Sequence, residues 1–302
     1  MNNLLKWNLA ACFLLSTSFA FAATGPSDFQ YTDVKDFIHQ IAAQHPDTTK
    51  LISLGPSDSG DTIEGLQIGN GPVHNLVVST HHGNEYGATE VAKGFAADTA
   101  ANPIPGQTVF VIPVLNIDGY NARNRMEPLN GQELDPNRNY PGPCGTEGPF
   151  TLKSTTALAQ FVAANDIVAS ATLHTYGPLV LYPWGISTSG TDLMTPYDDL
   201  FKTLAGYAVI DSHYEIGNST AALYAADGTY EDYAFWKHGM WSLLFELGDT
   251  HTPTDTAVAD MVRVNVPGLR NFLAQAPSKR ADDHEFHGKC DHGRALLDRH
   301  DE

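Results

Sequence analysis

Apolar and polar positions follow one another along this chain with two different periods, and the switches between them mark out its elements. Over residues 31–45, Val34, Phe37, Ile38, Ile41 and Ala42 recur at helical spacing and Pro46 ends the pattern, which predicts an amphipathic first helix. Two short apolar runs, 51–54 and 63–68, flank the turn-rich stretch 55–61 and predict paired strands. The run 75–80 predicts a buried strand, 85–97 a helix, 108–115 another strand and 152–164 a helix. Further strands are expected at 169–174, 179–182 and 241–246, with helices near 195–208, 231–237 and 254–273. Strands alternating with helices of this length predict an α/β domain whose sheet is covered on both faces. No internal repeat or interdomain linker interrupts the alternation, so a single domain over 23–277 is expected.

The two ends of the chain break the pattern. Residues 1–22 carry one charge, Lys6, and then an apolar run from Leu9 that closes on Ala20-Phe21-Ala22. Such a segment reads as a secretory signal peptide cut after Ala22, and it is too short to span a bilayer. Leu9-Ala10-Ala11-Cys12 also resembles a lipoprotein cleavage box, but its apolar core would have to precede Cys12, where Lys6 and Asn8 stand. A secreted or periplasmic protein without stable membrane insertion is therefore expected. Past Pro277 the composition shifts to a charged segment, 278–302, with a single apolar pair at Leu296 and Leu297, and a mobile tail is expected there. Its His284, His287, Cys290 and His292 are a candidate metal set, against the alternative of a solvated polar tail.

Composition narrows the class. Hydrophobic residues make up 42% of the chain, enough for a packed core. Removing Lys6 takes Lys+Arg from 17 to 16 against 35 Asp+Glu, and the formal charge from -18 to -19. A surface so acidic repels phosphate backbones, which excludes nucleic acid as a partner, and it leans only slightly towards basic substrates. Loss of Cys12 leaves Cys144 and Cys290, an even count compatible with one disulfide in an oxidising compartment.

The chemistry lies where polar residues end apolar strands. A hydrolytic zinc needs three protein ligands from His, Glu, Asp or Cys and one open position. His82 and Glu85 form an H-x-x-E pair directly after the run 75–80, His174 ends the strand 169–174, and Glu246 ends the strand 241–246. Ligand sites in α/β sheets gather at the carboxyl ends of strands, so these residues are expected to meet at one edge. An acid ending so apolar a strand as Trp241-Ser242-Leu243-Leu244-Phe245-Glu246 calls for a reason. His81 competes with His82 as the ligand.

From about Tyr31 to Leu273 the chain resembles the zinc metallocarboxypeptidases of the carboxypeptidase A family. The resemblance rests on His82-Gly83-Asn84-Glu85, on His174-Thr175-Tyr176, on Leu181-Tyr182-Pro183-Trp184-Gly185, and on Asp135-Pro136-Asn137-Arg138-Asn139-Tyr140, which is similar to the family's D-x-N-R-N segment. Pro113 to Gly119 is similar to a P-x-x-N-P-D-G element, with Ile117 in place of the second proline. Tyr224 precedes Glu246 by 22 positions, the family's spacing between a mobile tyrosine that covers substrate and the catalytic glutamate. The resemblance implies a mixed, mostly parallel twisted sheet with helices on both faces, and one zinc ion per chain on His82, Glu85 and His174. It implies Glu246 as general base and acid, and Asn137 and Arg138 as the clamp on a substrate's terminal carboxylate, where a planar guanidinium pairs both oxygens. An arginine upstream of the clamp is expected to face the oxyanion; Arg123 and Arg125 are both near enough, and Arg125 is favoured. Asp135 is expected to orient His82 through its other ring nitrogen, against an alternative role as a turn residue.

Two positions depart from the family. After Gly60 relatives usually carry arginine and this chain carries Asp61, which leaves in doubt a positive contact to substrate upstream of the scissile bond. Glu231, before Asp232-Tyr233, aligns with the position that sets the terminal-residue pocket, and predicts a preference for Lys, Arg or another amine-bearing end. Against this stands a solvent-facing acid in the first turn of a helix. The expected partners are peptides with a free terminal carboxylate, handled by a monomer. Two other readings stand beside this one: a murein-peptide amidase or deacylase of the related desuccinylase and aspartoacylase type, and a zinc-binding module without activity.

Overall fold

In the computed structural model, residues 29–145, 150–186 and 194–290 are described. The putting-together begins with α1 (Tyr31–Gln44), β1 (Thr49–Pro56), β2 (Thr62–Gly69), β3 (Val73–Ser79), α2 (Tyr86–Ala101) and β4 (Gln107–Ile112). Short elements follow: α3 (Ile117–Ala122), the hairpin β5 (Glu127–Leu129) and β6 (Gln132–Leu134), and a single turn of 3-10 helix at Pro136–Arg138. The second half runs α4 (Lys153–Ala164), β7 (Ala169–His174), β8 (Leu179–Tyr182), α5 (Asp198–Ala208), β9 (Glu215–Asn218), α6 (Ser219–Ala222), α7 (Tyr230–His238), β10 (Trp241–Glu246) and α8 (Asp255–Gln275).

Eight strands form one sheet in the order β1-β2-β4-β3-β7-β10-β8-β9. Its centre, β4-β3-β7-β10, is parallel, and antiparallel pairs join β1 to β2, β2 to β4 and β8 to β10. Because side chains alternate across a strand, each central strand feeds two cores. Val77, Val111, Ala171, Leu173, Leu243 and Phe245 pack beneath α2, α5 and α8 with Val91, Phe95, Phe201, Leu204, Leu269 and Phe272. Leu76, Val78, Phe110 and Ile112 pack on the other face with Leu158 and Val162 of α4 and Tyr230, Tyr233 and Ala234 of α7. The expected layered α/β architecture with helices on both faces is therefore the observed one.

The alternation also positions the chemistry. On β7 and β10 the residues opposite the first core are Ser170, Thr172 and His174, and Ser242, Leu244 and Glu246. Ser170 Oγ and Ser242 Oγ are hydrogen-bonded at 3.0 Å on that face. His174 pairs in register with Glu246, and Leu173 with Ser79, so β3, β7 and β10 end side by side at one edge of the sheet.

The 278–302 segment differs from expectation. Within the described residues it lies along the domain: Trp241 Nε1 donates to Lys279 O (2.8 Å), Arg280 Nε donates to Ile167 O (2.8 Å), and Phe286 packs edge-on against Trp184. Cys290 is disulfide-bonded to Cys144. The physical reason is that isolated Ala281 and Phe286, too sparse to register as a periodic pattern, each find a preformed apolar seat. His284 Nδ1 donates to Trp236 O and His287 pairs with Asp283, so the candidate metal set there does not converge. His292, the remainder of the tail and the 1–22 leader lie outside the described residues.

Candidate active site

The chain leaves β3 through Thr80, held at φ +62° with its hydroxyl against Thr89 Oγ1 (2.6 Å), and turns sharply into the loop that carries His81, His82 and Gly83. Only glycine fits at position 83, since an added Cβ would lie 2.0 Å from Gly119 C and 2.3 Å from Tyr120 N. Glu85 then stands at the N-cap position of α2, its carboxylate buried at the amino end of the helix, where the peptide dipoles favour negative charge.

His82, Glu85 and His174 converge there. His82 Nδ1 lies 2.8 Å from Glu85 Oε1, His174 Nδ1 lies 3.1 Å from Glu85 Oε2, and the two Nδ1 atoms are 3.2 Å apart. Ligand atoms about 2.0–2.1 Å from a tetrahedral zinc stand roughly 3.3 Å from one another, so the donor set fits such an ion in both chemistry and spacing. Among the described residues this is the one His/Cys/Asp/Glu group able to hold a metal. Asp135 Oδ1 accepts from His82 Nε2 at 3.0 Å, which commits that nitrogen and leaves Nδ1 for the cluster. Burial alone would lower the His82 pKa, but the carboxylates of Glu85 and Asp135 outweigh it and raise it above the ordinary value, so protons compete with a cation here. Glu85 is held below the usual carboxylate range, because the attraction of His82 and His174 overcomes desolvation.

His81 belongs elsewhere. Its Nε2 meets Tyr140 OH at 2.9 Å, its ring stacks on His174, and burial together with the neighbouring histidines depresses its pKa well below normal.

Arg125 and Asp135 are paired, NH2 to Oδ2 at 3.0 Å, and Arg125 NH1 stands 3.8 Å from Glu85 Oε1. Gly83 N donates to Arg125 O, which ties the arginine's backbone to the metal loop. Asn116 shapes this corner: its Oδ1 accepts from Gly119 N and its Nδ2 donates to His81 O, while Ile117, in the place of a proline, is fully buried. Arg123 does not reach the cleft, contrary to its candidacy for contact with substrate. It ends α3 in a left-handed conformation, which turns its side chain towards Phe29 O (3.1 Å), Asn121 O (3.2 Å) and the ring of Tyr86.

One cleft is lined by His82, Glu85, Arg125, Asn137, Arg138, His174, Tyr224, Glu231 and Glu246 together. Asn137 Oδ1 accepts from Tyr230 N (2.9 Å), fixing the 3-10 turn against the start of α7. Arg138 donates to Asn137 O and reaches Tyr224 OH at 3.3 Å, and Tyr224 is 51% exposed at the mouth. Glu246 is held well above the ordinary carboxyl pKa, first by burial and then by Glu85, with Arg125 opposing. Glu231 is not solvent-facing: it is 2% exposed, and its Oε2 has no hydrogen-bond partner. The adjacent Asp232 accepts from Gly185 N with both oxygens.

Sequence reasoning missed His251, which lines the cleft, bonds Thr175 Oγ1 at 3.2 Å and meets Tyr176 edge-on. Nothing in its local sequence sets it apart. Asp61 is exposed in the β1–β2 turn, where its carbonyl accepts from Ser57 N, and it is not among the residues lining the cleft.

A layered α/β fold that gathers two histidines and a glutamate at the ends of its central strands, beside a partly desolvated glutamate, defines a metal-dependent hydrolase. Residues 34–266 match the zinc carboxypeptidase family, peptidase M14, and the chain belongs to it. It is 28% identical over 264 residues to carboxypeptidase B of Astacus astacus, a match covering 73% of this chain and 86% of that one. It is 24% identical over 306 residues to carboxypeptidase D of Homo sapiens, covering 87% of this chain and 22% of that one. Its fold is similar to that of bovine thrombin-activatable fibrinolysis inhibitor in complex with tick carboxypeptidase inhibitor, with a TM-score of 0.74 at 17% identity over 81% of this chain and 95% of that one. Among the described residues no helix is long and apolar enough to cross a membrane.

Proposed function

We propose that the chain is an exported carboxypeptidase that holds one zinc ion on His82, Glu85 and His174. It removes single residues from the free carboxyl ends of peptides and prefers ends that bear an amine or a guanidinium. The observation that carries the proposal is the presence of Arg138, Asn137 and Tyr224 in one cleft with the metal cluster and Glu246. A cation that grips a terminal carboxylate at a set distance from the hydrolytic centre makes an exopeptidase. The Cys144–Cys290 disulfide supports export, since such bonds persist in oxidising compartments.

When bound, zinc supplies Lewis-acid polarisation of the scissile carbonyl and a nucleophilic water near neutral pH. The chain's residues do the rest. Asn137 and Arg138 bind the carboxylate, and Tyr224, already beside Arg138, covers it. Arg125, braced by Asp135, supplies the fixed positive donor for the developing oxyanion. Glu246 carries the proton from the attacking water to the leaving amine, a task suited to a carboxyl whose pKa burial has raised. Glu231 recognises the terminal side chain: a buried carboxylate with an unpartnered oxygen gains from a cationic group brought by the substrate.

Mass-spectrometric profiling of residues released from mixed peptides, with and without a chelator, tests the proposal. Release should come from carboxyl ends, favour Lys and Arg, and stop when metal is removed. Equal activity on C-terminally amidated peptides would sink the exopeptidase claim. Release confined to γ-glutamyl-diaminopimelate peptides would assign the site to a murein-peptide amidase, and zinc-bound protein that releases nothing would make it a binding module.

A further inference from the structure

Residues 278–290 lie beyond the family-matched stretch 34–266, yet they meet Trp184, the neighbour of the cleft residue Gly185, and Cys144, six residues after the cleft residue Arg138. The segment docks through backbone and side chain: Ala281 N donates to Gly239 O (2.7 Å), His284 Nδ1 to Trp236 O (2.6 Å), and Arg280 Nε to Ile167 O (2.8 Å). Phe286 then seats its ring 5.5 Å from that of Trp184, which is fully buried between Phe286 and Phe235.

Trp184 and Gly185 form a junction. Trp184 O accepts from Thr220 N (3.2 Å) and Gly185 O accepts from Ala226 N (2.5 Å), so their two carbonyls hold both ends of the stretch that carries Leu223 and Tyr224. Gly185 N donates to both oxygens of Asp232 (3.0 and 2.8 Å), the neighbour of Glu231, and Gly185 itself lines the cleft. Four residues past Phe286, Cys290 is bonded to Cys144, six residues after Arg138. A few residues of chain thus run from the wall that holds the terminal side chain to the loop that follows the carboxylate clamp.

We propose that 278–290 is a positioning element for the substrate's terminal residue: Phe286 fixes the Trp184–Gly185 wall, and Cys290 ties that wall to the segment bearing Asn137 and Arg138. This rests on the carboxypeptidase function proposed above. The terminal residue is held at two points, its carboxylate by the clamp and its side chain by the pocket. Subsites whose separation is fixed beforehand bind without paying for ordering at the moment of binding. The candidate metal ligands lie in the loop after β3 (His82), just before α2 (Glu85) and at the end of β7 (His174), outside this connection. The element therefore acts on substrate binding and leaves metal retention and turnover alone.

The test uses the full-length, zinc-loaded chain and the peptide that the wild type cleaves fastest. Phe286→Ala, and separately Cys144→Ser with Cys290→Ser, are compared with the wild type and with the conservative Phe286→Leu. The expected result is a KM raised by about fivefold or more, with kcat within about twofold and bound zinc unchanged, and with Phe286→Leu restoring most of the loss. A lowered Tm with unchanged KM overturns the proposal, because a merely stabilising segment would behave so. A loss confined to kcat or to zinc content overturns it as well. If Phe286→Ala does not fold, the double serine variant decides by the same criteria. Failure here appears as a wild type active as a carboxypeptidase with variants of unchanged KM, whereas failure of the proposed function appears in the wild type itself, as no release, as equal activity on amidated peptides or as release confined to γ-glutamyl-diaminopimelate peptides.

Discussion

Replacing Glu231 by Gln tests the proposed pocket for the terminal side chain, because it changes one buried acid of the cleft with almost no change of shape. Glu231 is 2% exposed with Oε2 unpartnered, so a substrate ammonium placed there would make a desolvated, charge-assisted contact. Removing one side of such a pair costs about 2–3 kcal/mol. At about 1.4 kcal/mol per tenfold, the ratio of kcat/KM for Lys-ended over Leu-ended peptides should fall by roughly 30- to 150-fold. The assay is steady-state kinetics on matched blocked dipeptides that differ only in the last residue, with zinc content and Tm measured on the same samples. A ratio unchanged within about threefold would refute the reasoning and leave Glu231 as an acid of the fold rather than of the pocket.

Glu246→Gln should keep the metal, since the cluster donors are His82, Glu85 and His174, and should lower kcat by at least about a thousandfold, read by metal analysis beside turnover. Arg138→Ala should mainly raise KM for peptides with a free carboxylate, by about tenfold or more, and shrink their advantage over amidated peptides. Glu127 supplies a pH dependence of stability: buried and accepting from Ser154 Oγ, it has its pKa pushed up to about 8, by desolvation first and then by Asp58 and Asp118. A carboxyl that keeps its proton in the fold but loses it near pH 4.5 when unfolded stabilises at low pH. That contribution should drain away as pH rises from about 4.5 to about 8, by about 5 kcal/mol at most. Glu127→Gln should flatten the difference in denaturant midpoint between pH 5 and pH 8, and an unaltered slope would show that Glu127 is ionised in the fold.

Much of the fold could be read from local pattern because its central strands are buried on both faces and appear as short, mostly apolar runs. The stretches 169–174, 179–182 and 241–246 coincide with β7, β8 and β10. What escaped was short or marginal. The edge strand β9 has two exposed and two half-buried residues with a glycine among them, and α3 and α6 are too brief to show a helical period. The site was legible for a related reason: the register of parallel strands fixes that polar residues ending them, His174 and Glu246, stand together.

By itself the sequence determined which residue types end or follow the central strands, and hence the candidate metal donors and the half-buried glutamate beside them, because strand periodicity and crossover topology turn position in the chain into position at an edge. Only tertiary structure separated Arg125 from Arg123. They are two positions apart, but the left-handed end of α3 turns one towards Phe29 and leaves the other to pair with Asp135. Tertiary structure likewise took Glu231 out of solvent and bound the charged 278–290 segment to the domain through Trp184 and Cys144. Each of these rests on contacts between residues tens to more than a hundred positions apart. No local pattern encodes such contacts, because burial and pairing belong to the packed chain as a whole.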